Sequence, residues 1–161
     1  MSGGGPGRVA GLLCRHGHFN CQNVAYCVLC GLAMAQSDRR PVWAERPSLG
    51  VLVMEDGSVW PLRRDHVFGR APERDAAVAA GAANPVRLAD PLVSRVHARL
   101  EIDGWAVGVV DQHSTNGTFV WPPHARGWTR LPAGDRTVLP SGSVVAIGPR
   151  RVHFYSPRNQ R

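Results

Sequence analysis

The sequence predicts an all-β fold, an antiparallel β-sandwich or barrel, for the chain from Ser48 onward. Short apolar or alternating runs recur there at roughly 8–12-residue spacing, as the strands of such folds do. Turn formers separate these runs, since the chain contains 18 Gly and 13 Pro. With 161 residues and 43% apolar composition, the chain is long enough to bury a hydrophobic core.

The strand-like runs follow one another with turns between them. The predicted strands are Val51–Met54, Ser58–Leu62, His66–Phe68, Val86–Leu88, His97–Ile102, Trp105–Val110, Thr118–Val120, Trp128–Leu131, Thr137–Leu139, Val144–Ile147 and Val152–Tyr155. The dipeptide Asp103-Gly104 is a typical hairpin turn. One helix is predicted over Pro72–Ala80, because Pro begins it, acidic residues occupy its first turn and Gly81 follows it.

The N-terminal part differs from the rest of the chain in composition, because all four cysteines lie within residues 14–30. Clustered cysteines in a chain without a secretory signal are more often metal ligands than disulfides. The sequence therefore predicts four segments: a disordered tail over 1–13, a small zinc-binding module over 14–35, a linker over 36–47 and the β-rich domain over 48–158. The longest apolar run has 12 residues, too few to span a bilayer, and we expect a cytoplasmic protein with no membrane partner.

The cysteine spacing predicts two pairs of Zn²⁺ ligands. Cys27 and Cys30 form a knuckle, in which two thiolates lie on one tight turn. The second pair is open from spacing alone, because Cys14 can pair with either His18 or Cys21. The latter choice would make all four ligands thiolates. Either set closes the coordination sphere, so the zinc would be structural.

The charge pattern excludes several function classes. The net charge is +7, and all 19 basic residues are Arg. Without lysine the chain has neither a Walker A phosphate loop nor a Schiff-base catalyst. The arginines form no run of five or more, so a nucleic-acid partner is not favoured. Neither a nucleophile elbow nor a His-Glu-x-x-His motif occurs, and we therefore expect no enzymatic activity.

Three short motifs at predicted strand ends carry groups that suit phosphate. In chain order they are Gly69-Arg70, Ser94-Arg95-Val96-His97-Ala98 and Ser114-Thr115-Asn116-Gly117-Thr118. A phosphate group carries close to two charges and three acceptor oxygens, so it binds guanidinium, hydroxyl and amide donors. Loops at the end of a sandwich typically form its recognition surface. The sequence therefore predicts a phosphate site built from these loops.

These motifs, in this order and followed by Gly142-Ser-Val-Val-Ala-Ile-Gly148, resemble the forkhead-associated (FHA) domain over residues 48–157. The resemblance implies an eleven-stranded antiparallel β-sandwich whose loops bind phosphothreonine peptides. It implies that Arg70 and Ser94 hold the phosphate and that Asn116 binds the peptide backbone. The other implied positions are Arg95 and Thr115 near the phosphate and Gly69, His97 and Gly117 in the framework.

Two features depart from the FHA pattern. Arg70 and Ser94 are 24 positions apart, wider than is usual, and the added length is the Ala-rich segment 71–84. Gln112-His113 precedes the Ser-Thr-Asn-Gly turn, where similar domains often carry a small residue. Neither departure removes a phosphate ligand, but both bear on which residues around the phosphothreonine are preferred.

The cysteine segment resembles the short zinc-ribbon modules that precede FHA domains in some bacterial proteins. This resemblance favours Cys14 with His18, and Cys21 remains the alternative to His18. Together these patterns predict an adaptor that docks onto a threonine-phosphorylated protein, either a Ser/Thr kinase or a kinase substrate, with the zinc ribbon as a second interaction module. The alternative is a zinc-ribbon nucleic-acid-binding protein whose FHA-like domain is a phosphate-independent scaffold.

Overall fold

The N-terminal residues form a small module around one short antiparallel sheet. The computed structural model describes residues 7–158. The sheet consists of β1 (Arg8–Leu13), β2 (Phe19–Asn20) and β3 (Val42–Glu45), with β1 in the middle. A 3-10 turn, Met34–Gln36, precedes β3. The module has a small core that consists of Leu12, Cys14, Cys27 and Met34.

The disordered tail predicted over residues 1–13 is wrong for residues 8–13, which form β1. Residues 1–6 lie outside the described part of the chain. Strand β1 is ordered because it buries Val9 and Leu12 and pairs along both edges. Its longer pairing, with β3, joins residues more than twenty positions apart, so the local pattern gives no sign of it.

The linker predicted over residues 36–47 is also wrong in part, because it contains β3. Strand β3 pairs with β1, opposing Ala44 to Val9 and Val42 to Gly11. The other edge of β1 accepts β2 because Gly11 has no side chain. A Cβ at this position would overlap the ring of Phe19.

Two packed sheets form the remainder of the described chain and confirm the predicted all-β sandwich. Their strands are β4 (Val51–Met54), β5 (Val59–Pro61), β6 (Asp65–Gly69), β7 (Ala83–Arg87), β8 (Ala98–Asp103), β9 (Ala106–Asp111), β10 (Thr118–Trp121), β11 (Thr129–Arg130), β12 (Arg136–Val138), β13 (Val144–Ile147) and β14 (Arg150–Tyr155). One sheet has the order β11-β10-β13-β14-β4-β5, and the other has the order β12-β9-β8-β6-β7. Alternate residues of both sheets interdigitate in one core, which includes Leu52, Phe68, Leu100, Val109, Val145 and Phe154.

The prediction of a purely antiparallel sandwich is wrong at one strand pair, because β6 and β7 are parallel. Parallel neighbours need a crossover connection, and the segment between these strands supplies it. The helix predicted over Pro72–Ala80 is two shorter pieces, a 3-10 turn Pro72–Arg74 and the helix α1 (Ala76–Ala79). No helix within residues 7–158 exceeds four residues, which is too short to cross a membrane.

Asp75 explains why the crossover contains two helical pieces. Its backbone N–H ends the first piece, and its carboxylate accepts hydrogen bonds from the N–H groups of Ala77 and Val78, which begins α1. The same carboxylate forms an ion pair with Arg99 of β8 at 2.6 Å. Burial alone would raise the pKa of Asp75, but these donors outweigh burial and lower it. The crossover is therefore fixed to the sheet beneath it.

The module packs against the hairpin between β8 and β9. Trp105 at this hairpin donates a hydrogen bond from its indole N–H to the carbonyl of Ala10 at 2.8 Å, and its ring lies 5.3 Å from that of Phe19. Arg158 completes the contact, with its guanidinium over the Trp105 ring and a hydrogen bond to the Phe19 carbonyl. Both β6 and β9 run antiparallel to β8. The loops that follow β6 and β9 therefore lie at the end of the sheet opposite to the β8–β9 hairpin. The module and those loops therefore occupy opposite ends of the sandwich.

Candidate functional site

Three loops meet at the end of the sandwich away from the module: those after β6, before β8 and after β9. The closest approach is at Gly69, where a Cβ would overlap the carbonyl oxygen of Arg95. This approach lets the Arg70 N–H donate to the Ser94 carbonyl at 3.0 Å and the Ala71 N–H donate to the Arg95 carbonyl at 2.9 Å. The structure therefore brings Arg70, Ser94 and Arg95 together, although 24 positions separate the first two.

The side chains of this cluster are oriented outward and carry free donors. The Nε of Arg70 donates to the Val93 carbonyl, and its terminal nitrogens have no partner within residues 7–158. The Ser94 hydroxyl accepts a hydrogen bond from the Thr115 N–H at 3.1 Å, so its own hydrogen stays available. Arg70, Arg95 and Thr115 are all exposed. This geometry presents two guanidinium groups and hydroxyl donors to an anion.

Asn116 links two of the loops through its side chain. Its amide nitrogen donates to the Leu92 carbonyl at 2.9 Å, and its amide oxygen has no partner among the described residues. Both Asn116 and Leu92 are exposed. An exposed carboxamide offers a donor and an acceptor together, which is the pattern that an extended peptide backbone needs.

His97 lies beneath the site, fully buried, and connects the same loops from below. Its Nδ1 accepts a hydrogen bond from the Ser94 N–H at 3.0 Å, which leaves the ring proton on Nε2. That Nε2–H donates to the Gly117 carbonyl at 2.9 Å. Gly117 has a φ of +81°, a conformation that a side chain would strain. The structure places both residues in the support of the site, away from its surface.

The neutral state of His97 follows from its surroundings. Burial lowers the pKa of His97, and this effect outweighs the Gly117 carbonyl and Asp111, which favour the charged ring. Because the folded pKa is below the unfolded value of about 6.5, the unfolded state binds more protons in mild acid. The contribution of His97 to the free energy of unfolding is therefore fully present at neutral pH and declines as the pH falls below about 6.5.

Acidification should accordingly destabilise the protein more when His97 is present than when it is replaced. A His97→Asn variant keeps an acceptor for the Ser94 N–H but cannot titrate. In urea unfolding, we expect the wild type to lose more free energy of unfolding than this variant between about pH 6.5 and about pH 5.5. Equal losses in the two proteins would contradict a neutral, buried His97.

Asp111 is a supporting residue whose role the sequence analysis does not identify. Its buried carboxylate accepts hydrogen bonds from the Ser114 N–H and hydroxyl and from the Thr118 hydroxyl, the last at 2.6 Å. These bonds fix both ends of the loop that carries Thr115 and Asn116. A local signal exists, since Asp followed three residues later by Ser is typical of such side-chain-to-backbone turns.

The two departures from the FHA pattern fit beside the site without occupying it. Gln112 donates its N–H to the His97 carbonyl at 2.9 Å, and His113 adopts a positive φ of 52° with its side chain exposed. Arg87, at the end of β7, donates to the Arg70 carbonyl at 2.8 Å and to the carboxylate of Glu73, which belongs to the added segment, at 2.9 Å. This ion pair is exposed, so it contributes little to stability.

A second cluster lies in the N-terminal module, where four potential metal ligands converge. They are the Sγ atoms of Cys14, Cys27 and Cys30 and a ring nitrogen of His18, all within 4.8 Å of one another. The Cys14–Cys30 sulfur separation is 3.8 Å, and the His18 Nδ1 lies 3.5 Å from Cys14 and 3.7 Å from Cys27. Cys21 is outside this group.

These distances agree with tetrahedral zinc geometry. With Zn–S near 2.3 Å and Zn–N near 2.0–2.1 Å, a tetrahedral site has S···S separations of about 3.8 Å and S···N separations of about 3.5–3.6 Å. Both ligand turns are closed by backbone bonds, from the Gly17 N–H to the Cys14 carbonyl and from the Gly31 N–H to the Cys27 carbonyl. The donor set and its spacing therefore fit a divalent metal.

Hydrogen bonds to Cys27 favour its thiolate. Burial would raise the pKa of this thiol, but the N–H groups of Cys30 and Leu29 and the side chain of Asn20 lower the pKa to about 6. Asn20 is fully buried, and its side chain also bonds to the His18 carbonyl at 2.8 Å and to the Val28 N–H at 3.0 Å. Asn20 thereby ties the two ligand turns together, a role that the sequence analysis does not identify.

The comparisons with known proteins bear on the sandwich. A family model for the FHA domain matches residues 66–148. No curated protein matches the chain. Mycobacterium tuberculosis EmbR, solved in complex with a low-affinity phosphopeptide, is similar at 21% identity and a TM-score of 0.53, over 73% of this chain and 27% of EmbR.

Two solved FHA domains are similar over most of their own length. That of the CT664 protein from Chlamydia trachomatis is 21% identical with a TM-score of 0.51, over 66% of this chain and 95% of that one. The MEK1 FHA domain, solved with a HOP1 phosphothreonine peptide, is 19% identical with a TM-score of 0.50, over 68% and 98%. At these identities the likeness shows the fold.

The matched segment 66–148 is just over half of the chain. It contains all three loops described above, from Gly69-Arg70 to the turn that carries Asn116. The protein therefore belongs to the FHA domain family.

Proposed function

We propose that this protein is a phosphothreonine-peptide-binding adaptor, and the convergence of Arg70 and Ser94 carries the proposal. Both side chains offer unused donors on one exposed surface, with the Arg95 guanidinium and the Thr115 hydroxyl beside them. Charge-assisted bonds from guanidinium to phosphate are the strongest hydrogen bonds available to an exposed site. A phosphate bound there would contact Arg70 and Ser94 directly.

Asn116 would bind the main chain of the peptide on the same surface. Its amide oxygen is free to accept a peptide N–H, and its amide nitrogen carries a second hydrogen besides the one used by Leu92. Backbone contacts are independent of side-chain identity, so they add affinity for any extended peptide. The phosphate contacts then restrict binding to phosphorylated ones.

We propose that the partner is a threonine-phosphorylated protein, either a Ser/Thr kinase or a kinase substrate. The similar MEK1 domain is solved with a phosphothreonine peptide. The four threonines of this sequence are unsuited to serve as ligand of their own molecule. Thr115 lies in the site and Thr118 is buried, while Thr129 and Thr137 are held in β11 and β12.

The second part of the proposal is a structural zinc ribbon. Cys14, Cys27 and Cys30 would supply thiolates and His18 its Nδ1, which gives four protein ligands and no open position. When bound, the metal would supply a cross-link between the two turns and no reaction chemistry. The module would then act as a second interaction surface, on which Tyr26 and Leu29 are exposed large apolar side chains.

Discrimination between phosphothreonine and phosphoserine tests the proposed function. FHA-type sites accommodate the threonine methyl group, and one methyl in an apolar pocket contributes about 1–3 kcal/mol. We therefore expect a phosphothreonine peptide to bind roughly tenfold or more tightly than its phosphoserine counterpart. Calorimetric titration with matched peptides from a degenerate library measures this, with the unphosphorylated peptide as control. Equal affinity for the two phosphopeptides would contradict the proposal.

A further inference from the structure

Arg130 is a further exposed cation beside the loops of the phosphate site. It lies in β11 opposite Phe119 of β10, and its guanidinium carbon is 5.9 Å from the centroid of the Phe119 ring. At Gly117, just before β10, a Cβ would overlap the same guanidinium, with the Nε at 2.8 Å and the Cζ at 3.0 Å. Because Gly117 has no side chain, Arg130 can lie against the turn that carries Asn116.

No acidic group within residues 7–158 pairs with Arg130. Its side chain forms neither a hydrogen bond nor an ion pair in this part of the chain. Arg95 is likewise unpaired there, and the Arg70 side chain donates only to the Val93 carbonyl. Among the described residues, three exposed guanidinium groups therefore lie around these loops without a carboxylate partner.

The carboxylates closest to these loops in sequence are engaged elsewhere. Asp111 is buried and accepts hydrogen bonds from its own loop. Glu73 pairs with Arg87, and Asp90 accepts a hydrogen bond from the Leu92 N–H at 2.9 Å. The guanidinium of Arg130 is therefore available to an anion from outside this part of the chain.

Asn116 separates Arg130 from the phosphate ligands along the turn. The residue before it, Thr115, donates its N–H to the Ser94 hydroxyl, and the residue after it, Gly117, contacts Arg130. Two backbone steps of about 3.8 Å place these ends at most about 7.6 Å apart. An extended peptide advances about 3.3 Å per residue. A side chain that reaches Arg130 therefore belongs to a residue within about four positions of the phosphothreonine.

We propose that Arg130 binds a second anionic group of the peptide, a carboxylate or a second phosphate, within about four residues of the phosphothreonine. This inference rests on the proposed function and narrows the ligand to phosphothreonine peptides with an acidic or phosphorylated neighbour. A guanidinium forms paired hydrogen bonds with either group. The ring of Phe119 already positions the guanidinium, so less side-chain freedom is lost when the anion binds.

Two sets of peptides with one phosphothreonine in a neutral Ala/Gly background test the proposal. A single Asp in one set, and a single phosphoserine in the other, is moved through the four positions on each side. At one or more positions, we expect Asp to strengthen binding about fivefold over Ala, which is near the upper limit for an exposed ion pair. Phosphoserine should strengthen it more if the second anion is a phosphate. Isothermal titration at low ionic strength measures these affinities.

Arg130→Gln should remove the preference for a second anion, while its aliphatic stem still covers Phe119. Arg126→Gln is the matched control, because it lowers the net charge equally at another exposed arginine. Arg126 follows Ala125, whose carbonyl accepts a hydrogen bond from the indole of Trp121 at the far end of β10. We expect Arg126→Gln to retain the preference.

The affinity ratio between anionic and neutral peptides separates the outcomes. Equal affinity of the wild type for the Asp, phosphoserine and Ala peptides at every position would overturn this inference and leave the proposed function intact. Equal weakening of all peptides by Arg130→Gln would also overturn it, because Arg130 would then contact the phosphothreonine itself. Loss of the preference in Arg126→Gln as well would indicate a general effect of charge and overturn it. A wild type that binds none of the phosphopeptides would overturn the proposed function, and this inference with it.

Discussion

Cys27→Ser is expected to abolish zinc binding and to unfold the N-terminal module. The core of this module contains four buried side chains, and two of them, Cys14 and Cys27, belong to the ligand group. So small a core cannot stabilise a fold, whereas structural zinc contributes about 10–16 kcal/mol of apparent binding free energy. Elemental analysis of the purified variant measures the loss of metal. Hydrogen exchange of the β1 amides measures the loss of structure.

Two further variants identify the fourth ligand. His18→Ala should lose zinc as Cys27→Ser does, because the His18 Nδ1 lies within the ligand group. Cys21→Ser should retain it, because Cys21 lies outside that group. Retention by His18→Ala with loss by Cys21→Ser would show that all four ligands are thiolates. Retention by all three variants would remove the zinc site, and phosphopeptide binding should persist in every case because the two sites share no ligand.

Arg70→Ala is expected to weaken phosphothreonine-peptide binding by about 2–5 kcal/mol, since the phosphate would lose a charge-assisted partner. Isothermal titration with a peptide selected from a phosphothreonine library measures the change. The free energy of unfolding should change little, because the Arg70 side chain is exposed and makes one hydrogen bond, to the Val93 carbonyl.

Arg63→Ala provides the matched control for this variant. Arg63 precedes β6 and Arg70 follows it, so the two exposed guanidinium groups lie at opposite ends of the same strand. Both variants lower the net charge by one, and a general effect of charge on peptide binding would appear in both. Affinity that is unchanged in Arg70→Ala, or reduced equally in Arg63→Ala, would contradict the assignment of the phosphate site.

The sequence predicted the strands of the sandwich well because their signal is local. Val51–Met54 and Val144–Ile147 have the predicted bounds, since alternation of apolar residues and adjacent turns fix both ends. The sequence could not predict β1 or β3, because each is ordered by a partner more than twenty residues away. Nor did it predict the parallel pairing of β6 with β7, which depends on how the crossover folds around Asp75.

The same division applies to the two sites. The sequence by itself determined which chemical groups are available: the guanidinium groups, hydroxyls and carboxamide of the three motifs, and the sulfur and imidazole ligands of the N-terminal module. Only the tertiary structure decided which of them meet. It brought Arg70 to Ser94 through the close approach at Gly69, and it gathered His18 rather than Cys21 with the other ligands. The physical reason is that composition and spacing are local, whereas the convergence of loops is set by strand pairing and by buried contacts between distant segments, such as the hydrogen bonds of His97 and Asn20.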